Sequence, residues 1–258
     1  MTHGVDGEAD PGERGTYVYG VVRVDQVLPD GLTGLDGSHV RLVGHETVGA
    51  AVGSIYLERP PGRGADLVAH TEVLEALAMR GPVVPVRFGS VLPDDDTVLS
   101  EVLAPRLDRF DELLSSLGGQ AQFNLRAAYH EAGILQEVIS ENPAIAGLRD
   151  FTRDRDPDAV HPQLVRLGEL VARAVDGKRA SDSSFVLEQV RPLVTQDVVE
   201  PGRAIDQVFD ASFLVADDRR GEFEDLLEAL AEGMHERVRL QLTGPLPPYD
   251  FVGDDAWD

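Results

Sequence analysis

The chain contains no cysteine and only one lysine, Lys178, among its 258 residues. The missing cysteines exclude disulfides, thiol nucleophiles and thiolate metal sites. Long apolar runs are missing too, since no stretch approaches the roughly 18 residues that cross a bilayer. The N-terminus has no basic segment followed by an apolar one. We therefore expect a cytoplasmic protein that folds in water and has no membrane partner.

Basic residues are scarce relative to acidic ones. Lysine and arginine together number 23, against 46 aspartates and glutamates, which gives a formal net charge of −23. A surface this acidic repels phosphate backbones, because nucleic-acid affinity comes largely from Lys and Arg side chains that displace counterions. The hydrophobic fraction of 42% is ordinary for a globular chain. The composition therefore predicts a folded acidic protein that does not bind nucleic acid.

Motifs for nucleotide binding and catalysis are also missing. The glycines at 31, 34 and 37 do not fit the dinucleotide-binding fingerprint, and Gly177-Lys178 lacks the other residues of a phosphate-binding loop. No histidine has the spacing of a zinc-binding motif, and no serine lies in a nucleophile elbow. The sequence predicts no enzymatic activity, no metal site and no cofactor.

Two polar features have competing explanations. Asp94-Asp95-Asp96 could bind a hard cation, but the triplet precedes an apolar helical pattern, and this position favours helix capping. His70 lies on the apolar face of a predicted helix, where a partly buried, hydrogen-bonded histidine is more common than a ligand or a base. For both features we expect a structural role.

Length and pattern predict two domains, since single domains most often span roughly 100–200 residues. The predicted ranges are a disordered tail at 1–15, an N-terminal α+β domain at 16–118, a C-terminal α+β domain with a helical insertion at 119–252, and an acidic tail at 253–258. In the N-terminal domain, β-branched and aromatic runs predict strands, and helical periods predict helices. In order these are strands at 17–22, 39–43 and 48–56, a helix at 66–79 with Asp66 as its N-cap, a strand at 82–89 and a bent helix at 94–117.

The C-terminal domain begins with strict alternation of apolar and polar residues from Ala121 to Ala127, which predicts a half-buried strand. Three helices are then expected, with a break at Asp176-Gly177 between the last two; their ranges are 131–140, 162–175 and 183–194. A strand, a helix and a strand follow, at 207–215, around 223–230 and at 237–242. Each domain is therefore expected to be a mixed or antiparallel sheet covered by helices.

The segment at 82–93 carries Arg87, Phe88 and Gly89 at the end of a strand-like run, and its prolines predict an edge position in the sheet. Two explanations for Arg87 remain open. It could be buried and tied to a carboxylate, which is costly unless the pair is complete, or it could contact a partner. An enzyme that binds a small anion there would have a concave pocket with Arg87, an unpaired His70 and a convergent carboxylate.

The segment at 242–251 joins a strand to a proline-rigid stretch with aromatic residues. Such a stretch either locks the chain end onto the domain or presents a docking surface at low entropic cost. Its candidate residues are Gly244, Pro245, Pro247, Pro248, Tyr249 and Phe251.

Together with Tyr17-Val18-Tyr19-Gly20-Val21-Val22 near the start, these two segments resemble the gas vesicle protein F/L family in order and spacing. The run from Thr243 to Tyr249 is the most specific part. The resemblance implies a C-terminal half with a variant ferredoxin-like fold. It also implies a non-enzymatic accessory protein, required for gas vesicle formation and located in the cytoplasm and at the gas vesicle.

The resemblance implies two kinds of partner, the small hydrophobic shell protein and other gas vesicle accessory proteins. A hydrophobic subunit exposed in water would aggregate, so we expect the protein to hold shell subunits before or during polymerisation. The expected contact residues are those of the two segments, with strand addition at the strand around Val86 as one route. The alternatives are a minor structural component retained in the shell and an enzyme that binds a small anion near Arg87.

Overall fold

A computed structural model describes residues 13–253 and Trp257. These residues form two compact units: the first runs up to Gln120 and resumes at Leu246, and the second is Ala121–Pro245. The predicted domain ranges stay a prediction. Residues 246–252, which the sequence assigns to the C-terminal domain, group with the first unit. Most of the two predicted tails, 1–12 together with 254–256 and 258, lies outside the described residues. The first strand already begins at Arg14.

The first unit combines a five-stranded sheet with helices. The sheet order is β2-β3-β1-β4, and β5 also pairs with β1. Its elements are β1 (Arg14–Arg23), β2 (Arg41–His45), β3 (Val48–Tyr56), α1 (Gly64–Ala78), β4 (Val83–Pro85), β5 (Val91–Leu92), α2 (Asp95–Thr97), a π-helical turn (Val98–Leu103), a 3-10 turn (Ala104–Arg106) and α3 (Leu107–Leu117). Short 3-10 turns lie at Leu35–Gly37 and Tyr249–Phe251.

Strand β1 is central in this sheet, as its apolar run predicts. It pairs antiparallel with β3 on one edge and with β4 and β5 on the other. Residues 15–22 are buried without interruption, which is typical of a strand covered on both faces. The register with β3 shifts between Val18 and Gly20, so Tyr19 lies at a bulge.

Helix α1 starts earlier than predicted, and its predicted cap is wrong. The N-cap is Arg63, and Asp66 occupies the third helical position, where its carboxylate accepts the Arg63 backbone N–H at 2.9 Å. This contact, from the backbone of the N-cap residue to the side chain three residues later, is one of the two hydrogen bonds of a capping box. An acidic residue in the first turn can make it without being the N-cap. Leu67, which shares the helical period of His70, Leu74 and Leu77, is nevertheless 50% exposed.

The acidic triplet caps a helix, as predicted. The carboxylate of Asp94 accepts the backbone N–H of Thr97 at 2.7 Å, and Asp95 accepts the Arg41 guanidinium at 2.6 Å. The bent helix predicted after it is confirmed as α2, a π turn, a 3-10 turn and α3. The 3-10 turn contains Pro105, whose missing N–H interrupts regular helical bonding.

The second unit has a four-stranded sheet in the order β7-β8-β6-β9. Its elements are β6 (Gln120–Tyr129), α4 (Glu131–Glu141), α5 (Pro143–Thr152), α6 (His161–Val190), β7 (Gln196–Pro201), β8 (Gln207–Ala216), α7 (Arg220–Met234) and β9 (Val238–Leu246). Phe123, Phe213 and Phe223 meet in its core at ring separations of 5.3 and 5.9 Å. The prediction of a mixed protein of helices and sheets is confirmed, while the ferredoxin-like variant stays a prediction.

The predicted break at Asp176-Gly177 is wrong, because α6 runs through it. A glycine inside a helix costs only about 1 kcal/mol, and the continuous helix buries Val175 and Val186. Helix α5 and strand β7 were not predicted. For α5, Asn142 followed by proline was the available signal, since Asn142 caps the helix and accepts the Ala144 N–H at 3.1 Å. Strand β7 has weak apolar alternation and depends on pairing with β8.

Among the described residues, no helix combines the length and the apolar character needed to cross a membrane.

Candidate functional site

The first predicted contact segment forms a loop that is tied to β1 along its length. We call residues 86–90 the Arg87 loop. On one side, the Val86 N–H donates to the Tyr19 carbonyl at 2.9 Å, and on the other the Val18 N–H donates to the Ser90 carbonyl at 3.0 Å. Within the loop, the Ser90 hydroxyl donates to the Arg87 carbonyl at 2.8 Å. These hydrogen bonds attach both ends of the loop to β1.

A cluster of aromatic rings packs against the Arg87 loop. The Phe88 ring packs edge-on against His70 at 5.6 Å and against Tyr17 at 6.5 Å. Tyr17 and Tyr19 are adjacent at 4.8 Å, and the Gly89 N–H donates to the Tyr17 hydroxyl at 3.1 Å. The cluster thus holds both the side chain of Phe88 and the backbone of Gly89, whose φ of +95° favours glycine.

His70 is a buried member of this cluster, as the structural explanation predicts. It is 1% exposed, and its Nδ1 lies 2.9 Å from the Tyr17 hydroxyl. Because the Gly89 N–H already donates to that hydroxyl, the Tyr17 hydrogen is available to Nδ1. Burial lowers the His70 pKa to about 4, although the Val86 backbone offsets part of this shift. His70 is therefore neutral in the folded protein at neutral pH.

Arg87 is exposed at the tip of the loop. The burial that one explanation gives Arg87 is therefore wrong, while its tie to a carboxylate stays a prediction. The arrangement expected of a small-anion enzyme is also not found, because His70 lies inside the unit, bonded to Tyr17, while Arg87 faces solvent. Sequence reasoning did not identify Tyr17 and Tyr19 as the residues that hold this loop, although alternate aromatic residues on a central strand were visible in the sequence.

The end of the chain packs on the same unit. Pro247 and Pro248 are buried, and Tyr249 stays 39% exposed. Burial, together with the nearby carboxylate of Glu75 on α1, raises the Tyr249 pKa to about 12. The Tyr249 hydroxyl therefore lies near α1. The buried prolines agree with a chain end that is locked onto the unit, and the partly exposed ring of Tyr249 agrees with a docking surface.

Gly244 is required by packing inside the second unit. Its φ is +153°, and a Cβ there would lie 2.6 Å from Cδ1 of Phe123 and 3.0 Å from the Gln122 carbonyl. Any larger residue would displace the core ring of Phe123. The peptide between Gly244 and Pro245 is cis, and both residues are exposed. Phe251 is half-buried.

Trp257 also contacts the first unit. Its ring lies 5.3 Å from Phe110 of α3, and the Arg106 guanidinium donates to its carbonyl at 2.8 Å. The chain's single tryptophan thus ties the predicted acidic tail to α3 at this point.

The family profile described as gas vesicle synthesis protein GvpL/GvpF matches residues 15–253. The chain belongs to this family. The GvpL/GvpF match includes the Arg87 loop and the segment at 242–251, and it ends before Trp257. Membership implies that the protein is a gas vesicle accessory protein that takes part in gas vesicle formation.

Individual members of the GvpL/GvpF family are similar over nearly their whole length. Gas vesicle protein F of Streptomyces sp. strain CB03234 is 35% identical over 241 residues, which are 92% of this chain and 99% of that protein. Gas vesicle protein L of the same organism is 31% identical, over 93% and 94% of the two chains. The crystal structure of GvpF from Anabaena sp. PCC7120 has a TM-score of 0.81 at 21% identity and covers 93% of this chain and 98% of that one. This structural likeness shows the fold.

The buried His70 predicts a pH-dependent loss of stability. Its folded pKa is about 4, below the ordinary value of 6.5, so the unfolded chain takes up the proton first as the pH falls. The stabilisation is complete above the unfolded pKa and declines down to the folded pKa. Between about pH 7.5 and about pH 5, His70 should account for about 2 kcal/mol of lost unfolding free energy.

Urea unfolding at the two pH values measures this loss. A His70→Asn variant keeps an acceptor for the Tyr17 hydroxyl and should lose about 2 kcal/mol less than the wild type over the same interval. The control is His161→Asn, at an exposed position, and it should behave as the wild type. Equal pH dependence in wild type and His70→Asn would contradict the assignment.

Proposed function

We propose that this protein binds the small hydrophobic shell protein of the gas vesicle, and other accessory proteins, during assembly. The observation that carries the proposal is the Arg87 loop, which holds an arginine exposed while its backbone is bonded to β1 on both sides. Family membership supplies the setting, and the loop supplies a surface suited to a partner.

A loop of this kind binds at low entropic cost, because little backbone freedom remains to be lost on association. Arginine and tyrosine are enriched among the residues that dominate binding energy. Arg87 is exposed and Tyr249 is partly exposed in the same unit. Each follows or precedes a residue that is held by packing: Phe88, next to Arg87, packs on His70, and Pro248, next to Tyr249, is buried. We therefore assign the partner contact to the side chains of Arg87 and Tyr249.

Strand addition at β4 is a weaker route than the sequence suggests. β4 is the end strand of the sheet order, but it has only three residues, all buried, and ends at Pro85. Proline lacks a backbone N–H, and short edge strands are one way in which proteins avoid pairing with other chains. Side-chain contacts from the Arg87 loop are favoured instead.

The net charge of −23 suits a protein that keeps a hydrophobic partner in solution. A strongly charged surface opposes association between complexes, and a partner whose apolar face is covered cannot aggregate through it.

The test is co-expression of this protein with the small gas vesicle shell protein, followed by affinity capture. A variant with Arg87→Ala and Tyr249→Ala should retain at least about tenfold less shell protein, since two interface hot spots are truncated. The matched control carries Arg239→Ala and Tyr56→Ala, because Arg239 is exposed and Tyr56, at 40%, is as exposed as Tyr249. Circular dichroism and urea unfolding check that both variants fold.

Capture of the shell protein by wild type and control, with loss in the test variant, supports both the partner and its surface. Capture that is equal in all three proteins would overturn the assigned surface. If even the wild type captures no shell protein, the proposed partner is wrong.

A further inference from the structure

Helix α1 presents a second surface that the proposed contact does not use. Val68, Glu72 and Glu75 of α1 and its C-cap Met79 recur at intervals of four, three and four residues, so they form one stripe. Val68 is 56% and Met79 is 80% exposed. The helix buries its opposite side, including Leu74 and Leu77, against the sheet.

The two carboxylates in the middle of the stripe have no basic partner among the described residues. Neither Glu72 nor Glu75 forms an ion pair there, whereas Asp66 in the first turn of the same helix pairs with Arg59. Tyr249 lies beside Glu75, so the stripe continues into the proposed contact surface. The stripe thus has an apolar residue at each end and two carboxylates between them. It suits a partner that combines apolar and basic side chains.

We propose that the stripe Val68–Glu72–Glu75–Met79 docks a helix of the partner that presents apolar side chains together with lysine or arginine. This rests on the proposed function, because the helix belongs to the shell protein that this chain is proposed to bind. The apolar residues of the partner would cover Val68 and Met79, and its basic residues would pair with Glu72 and Glu75.

Charge and length select this occupant. From Val68 to Met79 the stripe is about 16 Å long, which matches about three turns of a second helix. A second copy of this chain would bring four carboxylates together, and like charges in contact oppose binding. An anionic membrane or a nucleic acid would be repelled for the same reason. A helix with basic residues is attracted by the acidic surface and neutralises it where it docks.

The experiment uses the full chain co-expressed with the small gas vesicle shell protein as the probe. A variant with Glu72→Lys and Glu75→Lys should capture at least about tenfold less shell protein than the wild type, because attraction is replaced by repulsion. The control carries Glu224→Lys and Glu228→Lys, two exposed glutamates on α7 that change the net charge equally. A third variant, Val68→Ser with Met79→Ser, should also lose capture, at unchanged charge.

Loss in both stripe variants with normal capture by the α7 control supports the docking face. Normal capture by the stripe variants, with the wild type still binding, overturns the α1 assignment and leaves the proposed function intact. Equal loss in the stripe and α7 charge variants also overturns it, because net charge alone would then explain the effect. No capture by the wild type overturns the proposed function, and this inference with it.

Discussion

Replacing Arg237 with leucine is expected to lower the free energy of unfolding by about 3 kcal/mol. Its guanidinium donates to both carboxylate oxygens of Asp182, at 2.8 and 2.7 Å, and to Glu137 at 2.8 Å. Asp182 also accepts the Tyr129 hydroxyl, and Glu137 accepts Lys178, the chain's only lysine. Leucine would leave the carboxylate of Asp182, whose side chain is 10% exposed, without its cation.

Urea unfolding at neutral pH measures this effect. Arg239→Leu is the matched control, since Arg239 lies two residues further along the chain and is exposed, and it should change stability by less than about 0.5 kcal/mol. Arg237→Lys keeps the charge but loses the two-pronged contact, so its cost should be intermediate. A cost below about 1 kcal/mol for Arg237→Leu would contradict a structural role for this network.

Gly34→Ala is expected to cost about 3 kcal/mol, as overpacking combines with a lost hydrogen bond. A Cβ at Gly34 would lie 1.9 Å from the Tyr19 hydroxyl oxygen and 2.5 Å from its Cζ. That hydroxyl accepts the Leu35 N–H at 2.8 Å in a buried position. Tyr19 is fully buried and lies against Tyr17 under the Arg87 loop, so it cannot move without disturbing the cluster.

The control for this variant is Gly62→Ala, since a Cβ there meets nothing within 4 Å. Gly62→Ala should be close to neutral in thermal and urea unfolding. If Gly34→Ala is as stable as the wild type, Tyr19 does not occupy the position that the structure gives it.

The local elements that the sequence predicts well are those with a strong one-dimensional pattern. β1 has an unbroken apolar run, and β6 has its alternation, so both strands were predictable. The Asp94 cap followed from its place before a helical period. Elements whose stability comes from distant partners were missed: β7 depends on pairing with β8, and α6 crosses Gly177 because its two halves share one buried face.

The candidate site shows the same limit. Arg87, Phe88 and Gly89 were identifiable as an unusual segment, but their positions depend on Tyr17 and Tyr19, which lie about 70 residues earlier in the chain. No local pattern shows that a hydroxyl on β1 accepts the Gly89 N–H.

The most direct test of the proposed function is the fraction of the small shell protein that stays in the soluble fraction of cells, with and without this protein. We predict that co-expression moves shell protein from the pellet into a soluble complex that contains this chain. A shell protein that stays in the pellet to the same extent, while this protein is folded and abundant, would contradict the account.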